Sequence, residues 1–238
     1  MKTVVFLHGF GESSKIWDSF ISLLPTDYQY FTPDYSKITF CQTVEEYADW
    51  LHLEIEERKI AQFTLIGHSM GGYIALAYAE KHEDRLTGLG LFHSTSYADS
   101  EEKKATRLKT ISFIQKHGSA EFLEDFLPNM FSDEFKKRET ELVKLISERN
   151  STIPAEALIA ATAAMRQRPD RQHILKTFGK PILMIIGKKD KFIPYEHALE
   201  QINLAQNPMV FIHPNVAHAG MLEAPEACAT VVKSMLDF

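Results

Sequence analysis

Along the chain, short apolar runs alternate with longer stretches in which apolar residues recur every three or four positions. The runs at Thr3–Leu7, Gln29–Thr32, Phe63–Ile66, Leu86–Phe92, Ile182–Ile186 and Met209–His213 read as strands. Several lack polar alternation, most clearly Pro181-Ile182-Leu183-Met184-Ile185-Ile186. A strand of that kind is buried on both faces, as in a parallel sheet. Helical patterns occupy Ile16–Leu24, Val44–Arg58, Gly71–Lys81, His197–Ile202 and Pro225–Leu236. The alternation predicts an α/β, doubly wound, mostly parallel sheet of about six strands, with sites at the carboxyl ends of the strands.

One interval breaks this rhythm. From Ser96 to Lys176 no convincing strand occurs. Ala105, Leu108, Ile111 and Ile114 recur at threes, as on a helix face. Gly118-Ser119 reads as a stop and a new N-cap for a helix carrying Phe122, Leu123, Phe126 and Leu127. Asp133 is placed to cap a third helix with Leu142, Leu145 and Ile146, and Pro154 opens a fourth with Leu158, Ala161 and Met165. So long a helical insert is not a connecting loop. We expect residues 96–176 to form a cap over a core made of residues 1–95 and 177–238. Phe113, Phe122, Phe126, Phe131 and Met165 are the candidates for its apolar underside.

The composition suits one domain of ordinary size: 238 residues, 45% hydrophobic, 24% charged. The net charge of −6 repels phosphate backbones and anionic lipid, and the basic cluster Lys136-Lys137-Arg138 is flanked by acids. Neither a nucleic-acid nor a membrane partner is expected. The insert itself is balanced, with 14 basic against 13 acidic residues. Cys41 and Cys228 show no metal or redox spacing, and the N-terminal apolar run is too short for a signal peptide. A cytoplasmic location is the default expectation.

The chemistry starts at Gly67-His68-Ser69-Met70-Gly71, which fits G-x-S-x-G. Phe63-Thr64-Leu65-Ile66 before it is a strand run, and Gly72-Tyr73-Ile74-Ala75-Leu76-Ala77 after it is helical. A strand, tight turn and helix form the setting in which such a serine stands exposed above a sheet. A serine hydroxyl needs a base within hydrogen-bond reach. His218 follows the last strand, at the level of Ser69, and is the candidate base. Asp190, in Gly187-Lys188-Lys189-Asp190 after the preceding strand, is the candidate orienting acid. An oxyanion requires N–H donors. Met70 N–H, just after the serine, and Phe10 N–H, in His8-Gly9-Phe10-Gly11, are the candidates. His93 also follows a strand and is a candidate for contacting substrate, with Phe192 and Met165.

These pieces, in the order Ser, Asp, His, resemble the α/β-hydrolase superfamily over nearly the whole chain: His8–Gly11, Gly67–Gly72, Gly187–Pro194 and Val216–Glu223. They look most like its small lidded members, the carboxylesterases, enol-lactone hydrolases and carbon–carbon bond hydrolases. Ala163–Arg171 is similar to the return from lid to core in enol-lactone-hydrolase-like esterases. The chain lacks the antiparallel strand pair that usually precedes the His-Gly strand, hence six strands rather than eight. Pro33-Asp34-Tyr35-Ser36-Lys37 departs from the common proline-glycine turn. The serine at position 69 separates it from members that use aspartate there.

The resemblance implies a serine hydrolase, a carboxylesterase or lactonase acting on a small acyl substrate through an acyl-enzyme, without cofactor or metal. The alternatives are a carbon–carbon bond hydrolase using the same triad and, in a different class, a hydrolase-like ligand-binding receptor.

Overall fold

The structure, a computed structural model, describes residues 2–238, so residue 1 of the expected core lies outside it. Six strands form one sheet: β1 (Thr3–Leu7), β2 (Gln29–Phe31), β3 (Phe63–His68), β4 (Leu86–Phe92), β5 (Ile182–Gly187) and β6 (Pro208–His213). Their order is β2-β1-β3-β4-β5-β6, and every neighbouring pair is parallel. Nearly every residue of the four inner strands is buried, while the outer strands β2 and β6 keep partial exposure. That gradient explains why the inner strands read as unbroken apolar runs.

Eleven α-helices accompany the described strands. α1 (Asp18–Ile21), α2 (Val44–Glu57) and α3 (Met70–His82) follow β1, β2 and β3. Between β4 and β5 lie α4 (Glu101–Phe126), α5 (Asp133–Arg138), α6 (Thr140–Asn150), α7 (Ala155–Gln167) and α8 (Gln172–Thr177). α9 (Tyr195–Ile202) follows β5; α10 (Gly220–Glu223) and α11 (Pro225–Leu236) follow β6. α2 starts with a reciprocal cap: Glu46 N–H donates to Thr43 Oγ1 at 3.2 Å, and Thr43 N–H to the Glu46 carboxylate at 3.1 Å. α11 opens on Pro225, whose missing N–H costs nothing in a first turn.

Gly118 interrupts the helical geometry, at φ 87° and ψ 173°, so α4 is two helices joined at a kink, at the place the Gly118-Ser119 pair predicts. Two other details of the helical segment differ from expectation. Ser132, not Asp133, caps α5, its hydroxyl accepting from Phe135 N–H at 3.3 Å. Glu139 then separates α5 from α6, where one helix was expected.

Two arginines close the base of this segment. Arg168 pairs with Asp99 at 2.8 Å, and its guanidinium lies 3.9 Å from the Tyr73 ring centroid. Arg171 N–H donates to Ser96 O at 2.8 Å, and its guanidinium meets Glu45 of α2 and Glu80 of α3. The two ends of the segment therefore meet each other and the sheet's flanking helices at one place.

Strand order places the site. β1 sends its crossover to one side and β3 to the other, which opens a crevice at their carboxyl ends. The elbow there depends on close backbone packing. A Cβ on Gly67 would lie 2.2 Å from the backbone of Gly71, and one on Gly71 would lie 2.7 Å from the carbonyl oxygens of Leu7 and His8. Replacing Gly67 by Ala is expected to force the turn apart, at a cost of about 1–3 kcal/mol or more. In a chain of this size each kcal/mol lowers Tm by roughly 2–4 °C. Thermal and denaturant melts of Gly67→Ala check this; an unchanged Tm would show that the packing is slack.

Candidate active site

Ser69 occupies the turn between β3 and α3 at φ 50° and ψ −114°. A non-glycine residue there carries about 1–3 kcal/mol of backbone strain and persists only where its surroundings dictate it. Here they do. Ser69 N–H donates to Phe92 O at 3.0 Å, and Ser69 O accepts from Gly72 N–H at 2.9 Å and from the Ser94 hydroxyl at 2.7 Å. As the first residue of α3, Met70 has an N–H with no intrahelical acceptor. Phe10, between Gly9 and Gly11, lies in the loop after β1 and lines the same cavity as Ser69.

His218 lines that cavity too, and its Nδ1 lies 2.7 Å from Asp190 Oδ2. The other Asp190 oxygen accepts from Phe192 N–H at 2.7 Å and Ile193 N–H at 3.0 Å. Burial alone would raise the Asp190 carboxyl, but the charge and hydrogen bond of His218 outweigh it and hold the carboxyl below its ordinary value. The loops after β1, β3, β5 and β6 thus bring Phe10, Ser69, Asp190 and His218 to one end of the sheet.

The cavity holds about 250 Å³. Phe122, Phe126, Met165 and Phe192 line it, and the Phe192 ring lies 4.8 Å from the His218 ring. Phe113 and Phe131, expected in the same lining, are not there. Phe113 is exposed, and Phe131 is buried against Phe135 at 5.1 Å. Of the Ala105, Leu108, Ile111 and Ile114 period only the end reaches the core: Leu108 is 47% exposed, whereas Ile114 is buried. The first half of α4 spans a cavity rather than a packed core, so the face it turns inward is polar: Lys103, Thr106, Arg107 and Thr110.

His93, expected beside the substrate, is packed behind Asp190 and does not line the cavity. Its Nε2 accepts from Gly220 N–H at 3.1 Å, and Nδ1 is 3.7 Å from Asp190 Oδ2, too far for a hydrogen bond. Burial pushes this imidazole well below its ordinary range, so it stays neutral. The Asp34–Tyr35 loop braces His8. Tyr35 stacks on His8 at 3.8 Å, its N–H donates to His8 Nε2 at 3.2 Å, and its hydroxyl donates to His8 O.

Two residues that sequence reasoning passed over tie these loops together. Both nitrogens of the buried His68 ring face oxygen acceptors: Glu12 Oε2 at 2.9 Å and His218 O at 2.7 Å. Nε2 therefore donates to the His218 carbonyl, and the Glu12 carboxyl beside Nδ1 favours a second proton on the ring. The same Glu12 oxygen accepts from Gly9 N–H at 2.6 Å. Burial opposes charge on both residues, yet their attraction wins: Glu12 is held below its ordinary value and His68 above. The available signal was an acid in the apolar, glycine-rich His8–Glu12 segment, but nothing in the sequence links position 12 to position 68.

A serine on a strained strand–helix turn, lining one cavity with a histidine that is paired with a buried aspartate at the carboxyl end of a parallel sheet, fits the class of α/β hydrolases. The model of the Alpha/beta hydrolase family matches residues 4–231, and the chain belongs to that family. It is 27% identical, over 98% of its length and 91% of the relative's, to a 2-succinyl-6-hydroxy-2,4-cyclohexadiene-1-carboxylate synthase of Enterobacter sp. (strain 638). It is 23% identical, over 96% and 91%, to a pimeloyl-(acyl-carrier protein) methyl ester esterase of Yersinia enterocolitica. A thermophilic esterase from Thermogutta terrifontis, solved with malate bound, superposes with a TM-score of 0.93 at 25% identity, covering 100% of this chain and 90% of that one. Among the described residues no helix is long and apolar enough to cross a membrane.

Glu12→Gln should cost about 3 kcal/mol or more, because it leaves one side of a buried ion pair uncompensated. The pH profile identifies the cause. The raised His68 contributes stability fully below about 6.5 and loses it as pH rises through the folded value. The lowered Glu12 contributes above about 4.5 and loses it as pH falls through its folded value. The stability gap between wild type and Glu12→Gln should therefore be widest from about pH 4.5 to 6.5 and narrow on the alkaline side. Denaturant melts across that range measure it; a gap independent of pH would show that charge is not involved.

Proposed function

We propose that the protein is a serine hydrolase of small carboxylic esters, with Ser69 as nucleophile, His218 as general base and Asp190 as orienting acid. The observation that carries this reading is the strained Ser69 turn opening into the same cavity as His218, whose far nitrogen is held by Asp190 at 2.7 Å. In this reading Ser69 Oγ attacks the ester carbonyl while its proton passes to His218 Nε2. Asp190 keeps the proton on Nδ1 and steadies the imidazolium. The N–H groups of Met70 and Phe10 hold the negative oxygen of the tetrahedral intermediate. The C–O bond to the alcohol then breaks, and the leaving alkoxide takes the proton from His218. Water, deprotonated by His218, attacks the acyl-enzyme, and a second collapse releases the acid and restores Ser69.

Residues 96–176 act in this reading as the cap. Phe122 and Phe126 pack against Phe10 at 5.9 and 5.4 Å, which puts apolar rings directly over the oxyanion loop. Excluding water there strengthens the hydrogen bonds to the oxyanion.

A fluorophosphonate probe should add once per chain, on Ser69, and Ser69→Ala should remain unlabelled. Asp190→Asn should keep the fold and lower kcat by a factor on the order of 10⁴. Ser69→Ala combined with His218→Ala should be little worse than either alone. Ester turnover within about threefold of wild type in Asp190→Asn would move the acid elsewhere. Turnover of dienoic ketones without turnover of any ester would assign carbon–carbon bond cleavage instead.

A cavity of about 250 Å³ limits the acyl chain. Each methylene that fits gains about 0.8 kcal/mol, roughly fourfold in kcat/KM, until the pocket ends. In a p-nitrophenyl series from acetate to palmitate, the maximum should fall among the short chains, with no rate jump at the solubility limit. A maximum at twelve carbons or beyond, with activation at an oil–water surface, would contradict the closed pocket.

A further inference from the structure

The inward face of α4 is cationic, although the rest of the cavity wall is mostly apolar. Lys103, Thr106, Arg107 and Thr110, spaced as one face of a helix, line the same cavity as Ser69 and His218. Among the described residues no aspartate or glutamate lines it with them. Lys103 Nζ is held at the cavity by the carbonyl oxygen of Phe192, 3.0 Å away, an acceptor without formal charge. Arg107 makes one ionic contact, from Nε to Asp99 at 3.1 Å. Among the described residues its two terminal nitrogens have no hydrogen-bond acceptor. Asp99 is also the partner of Arg168 at 2.8 Å. Burial alone would raise its carboxyl, but Arg168, Arg107 and, more weakly, Lys103 hold it low. Two guanidinium groups thus share one buried carboxylate, with the Lys103 ammonium bonded elsewhere, and Lys103 and Arg107 both line the cavity.

A cavity built only for neutral acyl chains has no use for this arrangement, since keeping cations beside apolar walls carries a desolvation cost. We propose that Lys103 and Arg107 form an anion subsite, and that the substrate is an ester whose acyl chain ends in an anionic group, a carboxylate or a phosphate monoester. The inference rests on the ester-hydrolase reading for the position of the scissile bond. The ester carbonyl sits at Ser69, the methylenes run along Phe122, Phe126 and Met165, and the terminal anion meets the Lys103 ammonium and the free side of the Arg107 guanidinium. Charge-assisted hydrogen bonds of this kind are about twice as strong as neutral ones.

The test compares kcat/KM, by titration of released acid, for monomethyl esters of succinic through suberic acid with neutral methyl esters of equal length. A third arm uses methyl esters ending in a phosphate monoester. At the best chain length the anionic ester should be preferred by about tenfold or more, whichever anion it carries, and the two anionic arms then identify the anion. Lys103→Gln should reduce the anionic-to-neutral ratio by about tenfold, and Lys103→Glu should bring it below one. Raising the salt concentration should compress the ratio. Lys103 is the position to vary because Arg107 also serves Asp99. Ratios near one at every length, unmoved by Lys103→Gln, would overturn the subsite while neutral-ester turnover and Ser69 labelling left the hydrolase reading standing. Should no ester be turned over, calorimetry with glutarate and with inorganic phosphate on Ser69→Ala still decides the matter. Binding that Lys103→Gln weakens supports the subsite, and no binding of either anion overturns it.

Discussion

Glu12 and His68 favour each other's charged forms in the interior, and removing charge from water is costly unless it finds partners. The partners they have come from three loops. Glu12 Oε2 receives both His68 and Gly9 N–H, and the far side of His68 is bonded to the carbonyl of His218. The pair therefore spans the loops after β1, β3 and β6. The first carries the proposed oxyanion donor, the second the proposed nucleophile and the third the proposed base. Each loop could take many conformations alone; a buried pair that is costly to separate selects one combination. The Asp190 loop joins this network through His218, and the neutral His93 and Gly220 hold its outer flank.

The helical segment between β4 and β5 is secured differently. Its ends are clasped by Arg168 and Arg171, which are nearly inaccessible to solvent and bind acids from both the segment and the core. Its interior contact with the loop after β1 is a set of aromatic rings around Phe10. The base is ionic and fixed; the roof above the cavity rests on apolar contact and on the bond from Lys103 to Phe192 O.

The strands were legible because burial on both faces leaves unbroken apolar runs, and the observed ends of β1 and β4 coincide with those runs. The elbow was legible because its glycines and serine sit at fixed offsets between a strand and a helix. The helical segment was harder. Its elements were found, but the orientation of the first turns of α4 was not. The apolar period Ala105-Leu108-Ile111-Ile114 locates a core only where the helix lies on one: Ile114 does, while the turns before it span a cavity. Glu12 and His68 were missed for another reason: their meeting is a product of tertiary structure across 56 positions, and local pattern carries no trace of it. His93 was misplaced because a residue that follows a strand can turn behind the site as readily as into it.

The cationic face of α4 occupies eight consecutive residues, Lys103 to Thr110, while Ser69, Asp190 and His218 are scattered over most of the chain. Such an arrangement separates two rates of evolutionary change. The scattered residues are held together by the packing of the whole molecule, so drift at any of them is penalised at once. The contiguous face, proposed to meet the ligand, is one that a recombination event or a short run of codon changes can rewrite as a unit. Under that proposal, a change in the accepted terminal group leaves its record in two turns of one helix while the scattered residues stay as they are.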